Sequence, residues 1–196
     1  MCNSYEQHVT WTDYRDAMEQ AALKLSERQG EADLPQADDI RISDIGPVMR
    51  LAGDTVDLSP MAFGLPPKGK GGPVFNFRSE GRSFAESRRC LIPTSGFYEF
   101  TGKKSPKAKH RFRLAGGAVT AIAGLWRAGE GNQPPTFAML TTAPGPDIAP
   151  YHDRQVCVLH PEDWAHWLAL SKPEAELLAP LPAGALAVET LRPGSD

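Results

Sequence analysis

From residue 47 onward the chain is a succession of short apolar runs cut by glycine, proline and polar turns. They read PVMRLA, MAFGL, CLIP leading into GFYEF, HRFRLA, AVTAIAGLW, TFAMLTT, QVCVL and ALAVETL. Such runs are rich in β-branched and aromatic residues, and bounded by turn residues each predicts a strand. TGKKSPKAK, between two of them, reads as a hairpin loop. The 18 glycines and 18 prolines supply the turns that so many short elements require. Many strands with few, dispersed helices predict an α+β domain: a mainly antiparallel, barrel-like β-sheet with peripheral helices.

Between Thr10 and about Arg28, Tyr14, Met18, Ala21, Ala22 and Leu25 recur at helical spacing. Thr10 or Thr12 is placed to cap that helix and Gly30 to end it. GEADLPQADD is polar and acidic and reads as a loop. HPEDWAHWLAL predicts a helix: Pro161 suits its first turn, acids follow, and Trp164, Trp167 and Leu168 share one face. KPEAELLA predicts another short helix. With no internal repeat and no low-complexity linker, residues 2–196 read as a single domain, 172–196 forming a closing helix and strand.

The composition, 41% hydrophobic and 23% charged, is that of a soluble globular protein. No stretch approaches the ~18 apolar residues of a membrane helix, and no basic segment followed by an apolar one suggests a signal peptide. No membrane partner is expected. Cys2, Cys90 and Cys157 are too few and too scattered for a disulfide framework or zinc site. Cys90 and Cys157, in apolar runs, predict buried core thiols, and a reducing cytoplasm is the expected compartment. No two histidines have metal-ligand spacing, and there is no phosphate-binding glycine loop or dinucleotide fingerprint. No metal or cofactor is therefore expected. The formal net charge of −3 conceals an asymmetry. Residues 68–113 hold 12 Lys/Arg and 3 Glu, a balance of +9, while the remainder holds 9 basic and 21 acidic residues, a balance of −12. One basic surface on an acidic body suits a polyanionic partner.

Four polar stretches interrupt the strand pattern: Cys2, NFRSEGR at 76–82, Glu99 within SGFYEF, and YHDR at 151–154. Singly, each has a structural explanation: a frayed terminus, a capping asparagine, a glutamate paired with arginine, a hydrogen-bonded loop histidine. Cys2 has a second possibility. If Met1 is removed, it carries a free α-amine and a thiol on adjacent carbons, a pair no internal cysteine offers.

Taken together and in order, MC, NFRSE, RRCLIPTSGFYEF, AGLW and TTAPGPDIAPYHDR resemble the pattern of the SRAP (SOS response-associated peptidase) family. That pattern is Cys2, then N-A-R-x-E, R-C-L-x-P-x-x-G-x-Y-E-W, and H-D-R-M-P; the resemblance runs from residue 2 to about 168. It implies a mixed fold around a β-barrel-like core, with a positively charged groove for single-stranded DNA. It further implies a protein that senses abasic sites in such DNA and crosslinks to them covalently through Cys2. Carried onto this chain, the catalytic residues are Cys2, Asn76, Glu99 and His152, and the DNA contacts are Arg78 and Arg154. The usual M-C-G-R opening is replaced here by Asn3 and Ser4, so Arg82 is expected to take over some phosphate contact. The aromatic after the glutamate is Phe100 rather than tryptophan, W-G-L-I-P becomes AFGLPP, and H-D-R-M-P becomes HDRQV.

The residue types suit that chemistry. An α-amine titrates near ~7.7–8.0, against ~10.4 for lysine, so a useful fraction is nucleophilic at neutral pH. It condenses with an aldehyde to an imine, which the adjacent thiol closes to a thiazolidine. Glu99, between aromatics, is expected to have a raised pKa and to relay protons. His152, held by Asp153 or Arg154, is suited to protonating the sugar oxygen. Asn76 can bond the amine or the sugar. Nearby cations are expected to lower the thiol pKa, and Phe97, Tyr98 or Phe100 to stack a base. The expected species is a monomer, cytoplasmic and nucleoid-associated when DNA is damaged. The alternatives are an N-terminal-nucleophile amidohydrolase or peptidase using Cys2, and a non-catalytic binding module for modified or single-stranded DNA.

Overall fold

Five of the apolar runs close into a ring. In the computed structural model, which describes residues 2–67 and 69–195, the amino-terminal elements are β1 (Ser4–Gln7), α1 (Trp11–Gln20), β2 (Ala37–Arg41), β3 (Ile45–Ala52), β4 (Thr55–Phe63) and β5 (Asn76–Arg78). There follow β6 (Arg89–Thr94), β7 (Gly96–Thr101), β8 (Ala108–Leu114), β9 (Thr120–Arg127) and β10 (Thr136–Thr142). The chain ends with β11 (Gln155–Val156), β12 (Val158–Leu159), α2 (Pro161–Ala169), α3 (Glu174–Leu177) and β13 (Leu186–Arg192). The fate of Met1 and the first lysine of the basic window, Lys68, lie outside the described residues, as does Asp196.

Strand β3 pairs with β4, β4 with β10, β10 with β9, β9 with β6, and β6 back to β3. Only the β4–β10 pairing in this ring is parallel, so the expected antiparallel, barrel-like α+β fold is what forms. A second, antiparallel sheet runs β13-β8-β7-β1-β2. Ser95 alone separates β6 of the ring from β7 of this sheet. Strand β5 continues along β10 where β4 stops, Asn76 opposite Met139 and Arg78 opposite Thr141.

Two cores result because the ring strands bury both faces, and successive side chains point opposite ways. Cys90, Ile92 and Met139 join Phe63, Phe97, Phe112 and Phe137 in the core shared with the second sheet. Leu91 and Leu140 face the helices and join Tyr14, Met18, Trp164 and Trp167. Each indole N–H of α2 finds a backbone carbonyl: Trp164 donates to Leu159 O at 3.1 Å and Trp167 to Cys90 O at 2.9 Å. Cys90 and Cys157 are buried free thiols, as expected.

The helices correct one expectation. Thr10 does cap α1, accepting from the Asp13 N–H while the Asp13 carboxylate accepts from the Thr10 N–H. The helix, however, ends at Gln20 rather than near Arg28, and Gly30 plays no part in its end. Ala22 turns to a positive φ of 52°. Sheet hydrogen bonds then capture the following residues: Val56 N–H donates to Lys24 O, and Ser26 N–H to Val56 O. The acidic segment read as a loop holds a 3-10 turn at Glu31–Asp33 and the start of β2. QVCVL divides at Cys157, β11 pairing with β10 and β12 with β9. Among the described residues no helix is long and apolar enough to cross a membrane.

Candidate active site

Cys2 is not frayed. It is 1% exposed, and the strand it leads into, β1, is buried at all four positions. That strand is wedged between β2 and β7, with Tyr5 opposite both Ile40 and Phe97. Tyr5 packs edge-on against Phe63 and Phe137, which ties the start of the chain into the core between the sheets.

Two elements grip the Cys2 backbone. Asn76, which opens β5, donates from Nδ2 to Cys2 O at 2.9 Å. Glu99 on β7, 2% exposed, accepts from the Cys2 N–H. Burial pushes the Glu99 pKa up to about 7, the value a proton relay needs at neutral pH. The thiol behaves differently from expectation. Cys2 Sγ donates to Ser4 O at 3.3 Å, and burial, with the Glu99 charge adding, raises its pKa well above the ordinary thiol range. Among the described residues no cation lowers it into the thiolate range, so it rests as a thiol.

The His152 loop lies against the same strands. Tyr151 packs edge-on to His110 at 4.7 Å and to Phe112 at 5.2 Å, and His110 is the register partner of Glu99. The Asp153 charge is felt at Glu99. The Arg154 N–H donates to His152 Nδ1 at 3.0 Å, while Asp153 Oδ1 lies 2.9 Å from that same nitrogen. The two contacts demand opposite protonation. Burial lowers the His152 pKa and so favours the neutral ring. The Arg154 N–H on Nδ1 fits the form that carries its proton on Nε2.

Of the DNA-contact residues expected from sequence, Arg78 and Arg82 are exposed. Arg154 is 13% exposed and held by Glu80 and Thr141. Basic residues of the 68–113 window also serve the fold. Arg89 caps the end of α2 through the Trp167 and Leu168 carbonyls, and Arg111 pairs with Glu6 and Glu189. Phe97 and Tyr98 are core residues, 0% and 3% exposed, so they cannot stack a base as expected; Phe100 is half-buried. Phe77, between Asn76 and Arg78, points the other way, into a cleft of about 1380 Å³ shared with Arg82, Phe84, Arg88, Trp126 and Arg127. This cleft excludes Cys2. Among the described residues no cluster of His, Cys, Asp and Glu is arranged to hold a metal.

A family model, SOS response associated peptidase (SRAP), matches residues 1–193. The chain belongs to the SRAP family. Among its curated relatives is the abasic site processing protein YoqW of Bacillus subtilis, 37% identical over 98 residues, 46% of this SRAP chain and 43% of the relative. The abasic site processing protein YMR114C of Saccharomyces cerevisiae is 27% identical over 89 residues, 44% of this chain and 24% of the relative. The matched stretch thus spans less than half the length of either relative. A crystal structure of a protein from Bordetella bronchiseptica superimposes with a TM-score of 0.71 at 22% identity, covering 97% of this chain and all of the other. It shares the SRAP fold.

Proposed function

We propose that this SRAP protein recognises abasic sites in single-stranded DNA and crosslinks to them through the amine and thiol of Cys2. The observation that carries the reading is the double grip on the Cys2 backbone: Asn76 holds its carbonyl and Glu99 its N–H, beside a buried thiol. A structural cysteine has no use for a relay acid on its backbone nitrogen. The names of the curated relatives favour the same substrate.

Hydrolysis of the Met1–Cys2 peptide, consuming one water, frees the amine where Glu99 accepts. Opening of the abasic hemiacetal to its aldehyde breaks the C1′–O4′ bond. His152 Nε2 donates a proton to O4′, the C1′ hydroxyl loses its proton to water as the C=O forms, and water returns a proton to Nε2. The amine adds to the aldehyde carbon, Glu99 carries the amine proton to the carbinolamine oxygen, and water leaves to give an imine. The thiol adds across the C=N bond: sulfur bonds to carbon and its proton passes, through Glu99, to nitrogen. Condensation of the freed amine and thiol with the aldehyde thus gives the five-membered thiazolidine with loss of one water. Ring closure is intramolecular, which is worth on the order of 7–11 kcal/mol when well oriented. Lacking a base, the abasic nucleotide gives up little stacking energy to enter a tight site. Arg78 and Arg82 hold flanking phosphates.

The test is to incubate protein of verified intact mass, lacking Met1, with single-stranded DNA bearing one abasic site. A denaturation-resistant adduct is expected, absent with Cys2→Ala and slowed with Glu99→Gln while DNA affinity persists. Equal adduct from wild type and Cys2→Ala would overturn the reading. Protection of abasic DNA by Cys2→Ala equal to wild type would favour a non-catalytic binding module, and amide hydrolysis without adduct would favour an amidohydrolase.

A further inference from the structure

Glu80 touches none of the reacting groups, yet the His152 loop is tied down on it. Its two carboxylate oxygens receive both terminal nitrogens of Arg154, at 2.5 and 2.9 Å. Arg154 Nη2 also donates to Thr141 O at 2.9 Å and to Thr141 Oγ1 at 3.1 Å, fastening the guanidinium to β10. Glu80 itself stands just past β5, where the Ser79 N–H still donates to Thr141 O at 2.9 Å. One forked ion pair therefore joins the loop, β10 and the end of β5, the strand that presents Asn76.

The effect of this clamp reaches His152 through the backbone. The Arg154 N–H occupies His152 Nδ1 at 3.0 Å, and that bond exists only while Nδ1 carries no proton. Asp153, at 2.9 Å from the same nitrogen, favours the opposite state. Which neighbour wins depends on how firmly residue 154 is held.

We propose that Glu80 is a positioning residue: by clamping Arg154 it keeps the Arg154 N–H on His152 Nδ1, against the pull of Asp153, and so keeps the donor proton on Nε2. This rests on the crosslinking reading, and it gives Arg154 a supporting role in the loop. The pull of Arg154 holds the Glu80 pKa at about 2, so the clamp stays charged at neutral pH.

Two readouts test it. The first is the limiting adduct rate at saturating abasic DNA against the half-saturating DNA concentration, for wild type, Glu80→Ala, Glu80→Gln and Glu80→Ala/Asp153→Asn. The second is the imidazole ¹⁵N spectrum of His152 in the same proteins without DNA. Glu80→Ala should lower the limiting rate on the order of tenfold at unchanged half-saturation, and move part of the His152 proton to Nδ1. Glu80→Gln, which keeps one acceptor and guards against misfolding of the alanine variant, should fall between. Adding Asp153→Asn should restore the Nε2–H form and much of the rate. An unchanged limiting rate, a change in half-saturation alone, or an unmoved tautomer would overturn the proposal. If wild type forms no adduct, the crosslinking reading fails, and the ¹⁵N spectra still decide the role of Glu80.

Discussion

Glu99 is held where a carboxylate is least comfortable. It is 2% exposed and its pKa rises from 4.5 to about 7, with burial the leading cause. The folded protein therefore keeps this proton after the unfolded chain has lost it, and stability falls as pH rises between 4.5 and about 7. Above that window the cost is complete, on the order of 3 kcal/mol. Glu99→Gln removes the charge and keeps the shape. It should melt higher than wild type at pH 8 and alike at pH 4, while forming adduct more slowly. Thermal melts of the two proteins across that pH range measure this; a constant difference between them would exclude a titrating Glu99. Burial acts on Cys2 in the same direction and keeps its thiol protonated.

At the scale of the element, the site depends on β1, a strand whose SYEQ sequence has no apolar alternation to announce it. Its anchor is Tyr5, and the room for Tyr5 comes from Gly46 on β3. A Cβ there would stand 2.1 Å from Tyr5 Oη. Gly46→Ala should destabilise the protein by roughly 1–3 kcal/mol and slow adduct formation by shifting β1 and with it Cys2. Tyr5 Oη has no hydrogen-bond partner among the described residues, so adding Tyr5→Phe should recover much of the loss. Denaturant melts of the single and double variants check this, and a double variant no better than Gly46→Ala would refute it. The same strand marks where sequence reading stops. The apolar strands and the tryptophan face of α2 were legible because burial writes a period into them. The ordered motifs also pointed to Cys2, Asn76 and Glu99, which the fold brings together, and to His152, on a loop packed against β8. Strands β1 and β5 were not, because SYEQ and NFR carry no strand period of their own and their backbones are held by neighbours distant in sequence. The early end of α1 was hidden likewise: the bonds that divert Leu25 come from Val56.

Over the whole molecule, the arginines of the basic window, with Arg127 and Arg154 beyond it, fall into two populations. Arg89, Arg111 and Arg154 are engaged by carbonyls and carboxylates of the fold. Among the exposed arginines, Arg82, Arg88 and Arg127 line the cleft behind β5, where the Arg88 guanidinium lies 4.9 Å from the Trp126 ring centre. Glu130 is the acid beside them. On the crosslinking reading, a strand entering over Arg78 has this cleft one strand's thickness away, with phosphate donors and an aromatic face together. The affinity of DNA for it should then depend on how far the strand extends past the lesion on one side. Removing Arg88 and Arg127 together should flatten the dependence of log affinity on log salt by ~0.7 for each phosphate no longer neutralised. That change should appear only with oligonucleotides long enough to reach the cleft, and short ones carrying the same abasic site should bind both proteins alike. Half-saturating concentrations measured across salt, for strands extended on one side or the other, decide it. A slope unchanged by the double substitution at every length would place the flanking DNA outside this cleft, leaving Arg78 to hold the strand.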